Sequence, residues 1–267
     1  MAARDKPPII GTAVMGWRDG LGAINAMPAV AGLTLLILLV ISALSAQLMP
    51  GPAPVGLEVL LIVEGIIAGI IQAFAVAPLA IAVHRYVLLG EVTPRYALDP
   101  SSSRYLRFVG FAILANFLMA APGLIMALTT ATAGESTAVT AMAGVLTTVF
   151  TIIAVIVILR RAILFPAIAV DAPGASWSNA RNDTMGNSWR VAFILLCVML
   201  PVIALSLLPY FLLMWPPREA TAGGRIAFAI VSALLQIVSI CTLAAVASHL
   251  FRALADRLAV PPGAASA

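Results

Sequence analysis

The sequence predicts an all-α, polytopic membrane protein with six transmembrane helices paired as three hairpins. Three observations carry this. Of 267 residues, 62% are apolar and 10% are charged, against roughly 45–50% and about 25% in soluble domains, and mean hydropathy reaches +1.09. The apolar residues gather into stretches of the length a bilayer requires, about 20 residues each. Lys and Arg fall alternately heavy and absent between those stretches. Together these features exclude a soluble globular domain, a disordered chain and a disulfide scaffold.

Each element follows in order. Residues 9–25 carry Ile9, Ile10, Ala13, Val14, Trp17, Leu21 and Ile24 at helical spacing, with Arg18 and Asp19 off that stripe. This predicts an amphipathic helix lying in the membrane interface. Its glycines, Gly11, Gly16, Gly20 and Gly22, weaken an isolated helix by about 1 kcal/mol each, so it forms only when docked. The first span covers 28–48 and has no charge. Its apolar stretch begins too late and runs too long for a secretory signal, which predicts an uncleaved helix. The second span covers 57–83, with helical pattern continuing to 89. At 1.5 Å per residue that pattern is about 50 Å long against a core of about 30 Å, so its end, with His84 and Arg85, projects. Further spans are expected at 106–128, 139–159, 191–214 and 226–248, the last also projecting. Met49-Pro-Gly-Pro-Ala-Pro54, Gly90 with Pro94, and Pro216-Pro217 with Gly223-Gly224 separate them, each a turn signal with a backbone cause. No linker divides the chain, so residues 1–267 read as a single integral membrane domain.

Orientation follows from the cations. Every Lys and Arg except Arg218 and Arg225 falls before span one, between spans two and three, between spans four and five, or after span six. By the positive-inside rule both termini are cytoplasmic. The three hairpins share further features. Trp17-Arg18, Tyr105-Leu-Arg107 and Trp189-Arg190 precede them, and His84-Arg85, Arg160-Arg161 and His249-Leu-Phe-Arg252 end them. Interface preferences of Trp, Tyr and Arg account for much of this pattern, which also fits a threefold repeat.

The connection between spans four and five is the longest on the cytoplasmic side. Residues 162–170 are apolar around Pro166 and should be buried. Residues 176–185 should form a second interfacial helix, capped by Ser176 and ended by Gly186-Asn187, with Trp177 inward. Arg181 and Arg190 would face phosphates and Trp189 would anchor span five. The candidate lipid-headgroup residues are therefore Trp17, Arg18, Trp177, Arg181, Trp189 and Arg190. A structural cuff sealing the bundle is the alternative for the same segment.

Arg161-Ala-Ile-Leu-Phe-Pro166-Ala-Ile-Ala-Val170, followed by Trp177, Ala180, Thr184, Gly186, Asn187 and Trp189-Arg190, and also His84-Arg-Tyr-Val-Leu-Leu-Gly-Glu91, resemble a group of bacterial six-span membrane proteins. That group is similar to the membrane domain found beside some glycerophosphoryl diester phosphodiesterases, and to related uncharacterised families. The resemblance covers most of the chain. It implies the six-span fold and a place in the bacterial inner membrane. It does not imply the phosphodiesterase activity, since this sequence holds no stretch able to form that catalytic barrel.

Ionisable and amide groups inside spans are candidates for function. Glu64 lies about 10 Å along the second span from its outer end; Gln72 and Asn116 lie deeper. They would line the path of a small-solute or ion transporter, or hydrogen-bond across helices. Gly65-Ile-Ile-Ala-Gly69 permits close helix approach. His84 and His249 are expected at similar depth, but two ligands do not make a zinc site. Cys197 and Cys241 sit in apolar runs and read as small hydrophobes. There is no Ser-His-Asp set, HExxH, Walker loop or dinucleotide fingerprint, so no enzyme, cofactor or metal is expected. No basic run with interleaved aromatics occurs, which argues against nucleic acid. The expected activity is non-enzymatic: organising or maintaining the membrane through lipids or other membrane proteins. The transporter is the alternative.

Overall fold

The computed structural model describes residues 6–48, 57–133, 136–209 and 222–260. Among these, every regular element is helical. The helices are α1 (Ile9–Ala26), α2 (Pro28–Leu48), α3 (Leu57–Leu89), α4 (Ser103–Ala133), α5 (Thr137–Leu159), α6 (Leu164–Ala169), α7 (Trp177–Asp183), α8 (Ser188–Pro209) and α9 (Ala222–Leu254). Five of them, α3, α4, α5, α8 and α9, are long and apolar enough to cross a membrane. The α1–α2 pair, bent by 97°, makes a sixth if it is counted as one span. The segments around 49–54, Pro216-Pro217 and Arg218, and the far end of the fifth expected span, lie outside the described residues.

The bend between α1 and α2 has a local cause. Met27 adopts φ −128° and ψ 55°, because the ring of Pro28 disfavours helical geometry in the residue before it. Pro28 then starts α2, where its missing N–H costs nothing. By contrast α3 and α4 run through Pro78 and Pro122 without interruption, as spanning helices can when neighbours satisfy the freed carbonyls. The Thr147 hydroxyl on α5 donates to the carbonyl of Pro122 itself at 3.4 Å, while the acceptor that the missing Pro122 N–H frees is that of Leu118, one turn earlier.

Helix α9 is the centre of the bundle, packed against α1, α2, α3, α6 and α8. Helix α5 packs mainly on α4, and its outer side chains, such as Met142, Val145 and Phe150, are exposed. The members of the consecutive pairs α2–α3, α4–α5 and α8–α9 pack against each other. The elements that precede them differ: an 18-residue helix before the first, no helix over residues 90–102 before the second, and α6 with α7 before the third.

Helices α3 and α9 run parallel and in register. Gln72 Nε2 donates to Gln236 Oε1 at 3.0 Å, His84 Nδ1 meets Ser248 Oγ at 2.8 Å, and Arg252 donates to the carbonyls of Val87 and Leu88. Each of these pairs joins residues 164 or 165 apart in sequence. The two buried cores occupy the end at which α3, α5 and α9 finish and α4 and α8 begin. One gathers α1, α4, α6, α8 and the end of α9 around Phe108, Ile163, Ile168 and Leu250. The other gathers the end of α1 with α2, α3 and α9 around Met27, Leu38, Leu79 and Val83. This is the arginine-rich end.

Candidate functional site at the arginine-rich end

Helix α1 shows how this end is built. Its buried positions are Thr12, Ala13, Gly16, Gly20 and Ala23, a stripe of small residues. A Cβ at Gly16 would lie 2.1 Å from Val246 Cγ2, and one at Gly20 would lie 2.8 Å from Thr242 Cα. The glycines that weaken an isolated helix are thus what lets α1 press its backbone against α9. Half of the large side chains of the apolar stripe, Ile10, Val14 and Leu21, are exposed, Ile10 by 75% and Val14 by 60%, while Ile9 and Ile24 pack against the cores. Trp17 is half-buried against the core, and Arg18 is exposed, its Nε donating to Asp19 Oδ1 at 3.1 Å. Asp19 Oδ2 also lies 2.8 Å from His249 Nε2 on α9, pinning the crossing.

The histidines therefore have separate partners. His84 Nδ1 pairs with Ser248 Oγ, which also lies 2.9 Å from the Ala244 carbonyl on its own helix. Among the described residues no cluster of His, Cys, Asp or Glu suits a metal.

The segment after α5 is buried, as expected from its composition. It forms α6, a single turn-and-a-half with Leu164, Pro166, Ala167, Ile168 and Ala169 buried. Phe165 stacks between Phe108 and Phe111, and Phe111 meets Trp177 edge-on at 5.5 Å. The Arg161 guanidinium lies 4.1 Å from the Trp177 ring centre, a cation–π contact. Burial, then the Arg181 and Arg160 charges, pull the Arg161 guanidinium below its usual value. Ser176 caps α7 by accepting from the Asn179 N–H, and α7 ends before Gly186, whose φ is +84°.

Helix α7 is locked to the turn after α9 by Asp183. Its carboxylate accepts from the N–H groups of Asp256, Arg257 and Leu258 at 2.9, 3.1 and 3.0 Å. Gly174 completes the seam: its N–H donates to the Leu258 carbonyl, and a Cβ there would lie 2.0 Å from the Arg257 carbonyl oxygen. Neither residue stands out in the sequence, because the partner is a distant turn.

Five of the arginines here bind the protein's own carbonyls. Arg85 reaches Ala169, Arg107 reaches Ala175, Arg161 reaches Val157, and Arg252 reaches Val87 and Leu88. Such contacts satisfy acceptors left open at helix ends. Arg190, half-buried, donates to Pro7 O at 3.4 Å. Arg181 differs from these: it is exposed on α7, and its side chain carries no hydrogen bond or ion pair among the described residues. Trp189, at the start of α8, is 79% exposed.

The intramembrane candidates do not form one path. Gln72 pairs with Gln236, a partner on α9 not apparent from sequence, between two grooves of about 330 and 270 Å3 that both reach Ser232. Asn116 lines another groove, of about 160 Å3, across from Gly65 and Gly69. Glu64 is half-buried. A Cβ at Gly65 or Gly69 would meet nothing within 4 Å, so among the described residues no helix uses that close-approach motif.

Comparison with family models, with curated proteins and with solved structures returns no match. The apolar helices are those of an integral membrane protein.

Proposed function

We propose that this chain is a non-enzymatic, six-span protein of a bacterial inner membrane, with both termini cytoplasmic, whose arginine-rich end engages anionic lipid headgroups and so organises the surrounding membrane. The observation that carries this reading is the contrast among the arginines: most are committed to internal carbonyls or carboxylates, while the exposed Arg181 side chain, like that of Arg95, has no such partner among the described residues, and Trp189 stands exposed at the start of the next helix. A Trp and an unpaired Arg together suit the headgroup layer. The outward apolar face of α1, next to exposed Arg18, adds a second interfacial surface. The distribution of Lys and Arg supports the orientation, and the resemblance to six-span inner-membrane proteins supports the location.

The test uses purified protein in nanodiscs of mixed phosphatidylglycerol and phosphatidylcholine, with bound lipid counted by native mass spectrometry. Arg181→Gln should reduce phosphatidylglycerol enrichment about fivefold, from the roughly 1 kcal/mol that one Arg contributes near an anionic surface. Arg190→Gln should do less, since one of its N–H groups is already used on Pro7. Unchanged enrichment in Arg181→Gln overturns the reading and leaves a structural cuff. Orientation is tested separately: a cysteine replacing Gly134, outside the described residues, should react with an impermeant reagent from the outer side.

A second reading, a transport path for a small polar solute, draws on the Gln72–Gln236 pair and its serine-lined grooves. Solute flux through proteoliposomes that is lost in Gln236→Leu would favour it over the lipid reading.

A further inference from the structure

A cavity separate from Arg181 lies where α3 ends and α4 begins. Its volume is about 290 Å3. Pro78, Ile81 and Ala82 form an apolar floor, and three arginines reach it from three segments: Arg85 on α3, Arg95 in the 90–102 connection, and Arg104 in the first turn of α4. We propose that this cavity is a binding site for a phosphoryl group.

The charges and donors around it fit that chemistry. Arg85 is held in place by Glu91, which lies outside the lining, and by the Ala169 carbonyl. Arg104 gives Nη2 to Asp171 at 2.9 Å, while its Nε is buried with no hydrogen-bond partner. A buried donor without a partner costs free energy that an incoming oxyanion recovers. Arg95 is exposed and free of any ion pair among the described residues. Asp99 is the one acid in the lining, and its Oδ1 is occupied by the Ser101 hydroxyl. The lining therefore carries more guanidinium than carboxylate. Helix α4 starts at Ser103 with Ser102 and Tyr105 in the same wall, so its positive end also favours an anion there. Guanidinium forks match phosphate oxygens in geometry as well as charge.

Two sources share this chemistry: a phospholipid headgroup and free phosphate. Leu89 at the end of α3, and Val92 and Leu98 in the connection that follows it, are exposed outside the lining, which favours an ester whose acyl chains lie beside those residues. This site stands apart from Arg181, and each can fail without the other.

The experiment measures calorimetric binding to the purified full chain in detergent, with three probes: dihexanoyl-phosphatidylglycerol, dihexanoylglycerol of the same chain length, and inorganic phosphate. The wild type should bind the phosphatidylglycerol probe and not the phosphate-free one. Arg95→Gln, which removes no internal contact, should weaken binding about tenfold, the loss expected for one charge-assisted contact. Asp99→Asn should tighten it severalfold, a gain that a merely structural role would not produce. Arg181→Gln should leave it unchanged. Tight, Arg95-dependent binding of inorganic phosphate without binding of the lipid probe also upholds the site and assigns it to soluble phosphate. Equal binding of all probes, no binding of either phosphate-bearing probe, or no effect of Arg95→Gln and Asp99→Asn overturns it. In that case a normal Arg181 effect in nanodiscs would still support the broader lipid reading.

Discussion

The two ends of the bundle are built on different rules, and their glycines show it. At the arginine-rich end, Gly16, Gly20 and Gly174 each sit where a single added carbon would strike α9 or the turn that follows it. In the other half, Gly65 and Gly69 face open space, between grooves around Gln72 and Asn116. The first end is crowded with aromatic contacts, helix-end arginines and a carboxylate holding three backbone N–H groups. The difference follows from the solvent each half meets. Lipid tails are as apolar as the side chains they touch, so helices in the bilayer core gain little by burying Leu or Ile against each other. Near the interface water competes for every helix end, and order there requires specific partners.

The sharpest way to break this comparison is to make similar substitutions at both ends. Gly20→Leu should destabilise the protein by about 3 kcal/mol or more, since its nearest neighbours are α9 backbone atoms that cannot move aside. A lowered thermal midpoint in detergent, with protease cleavage appearing near α1, would report it. An unchanged midpoint would mean that α1 is not seated on α9 at all. Next in size is Asp183→Ala, which strands three N–H groups. It should cost about 2 kcal/mol and speed amide exchange at residues 256–258 selectively. Gly69→Ala, by contrast, should be harmless or stabilise by up to about 1 kcal/mol through helix propensity. A marked loss there would reveal a partner helix on that face. Smallest is the Gln72–Gln236 coupling, about 0.6 kcal/mol by a double-mutant cycle with Leu, the usual size for hydrogen bonds between spanning helices. A coupling several times larger would make the loose half less loose than its grooves suggest.

Charge repulsion refines the same contrast. Arg181 helps hold the Arg161 guanidinium below its usual value. Removing it in Arg181→Gln relieves Arg161, so this variant should fold at least as well as the wild type by thermal melting, even as it loses anionic lipid.

Much of the architecture was legible in the sequence for local reasons. Apolar length and the Pro28 boundary place α2, apolar length alone places α5 closely, its start at Thr137 against the expected 139, and the Ser176 cap places α7. What was not legible depends on distant partners. Gly16 and Gly20 read as weaknesses of α1 because Val246 and Thr242 lie far along the chain. Gln236 and Asp183 look unremarkable until Gln72 and the 256–258 turn are placed beside them. The arginine-lined cavity needs α3, α4 and the 90–102 connection together, and periodicity says nothing about which arginine will lack a partner.

The constant offset between α3 and α9 limits how this molecule can move. Gln72, His84 and Leu88 each face their counterparts on α9 at one shared spacing. Sliding one helix along the other by a single turn, about 5.4 Å, would separate all of these contacts at once, and no partial slip satisfies any of them. The two helices behave as a keyed shaft, free to rock about their common axis but not to piston. Any change of shape that reaches the half away from the arginine-rich end must therefore come from tilting the peripheral helices, α5 above all, against a core that keeps its register.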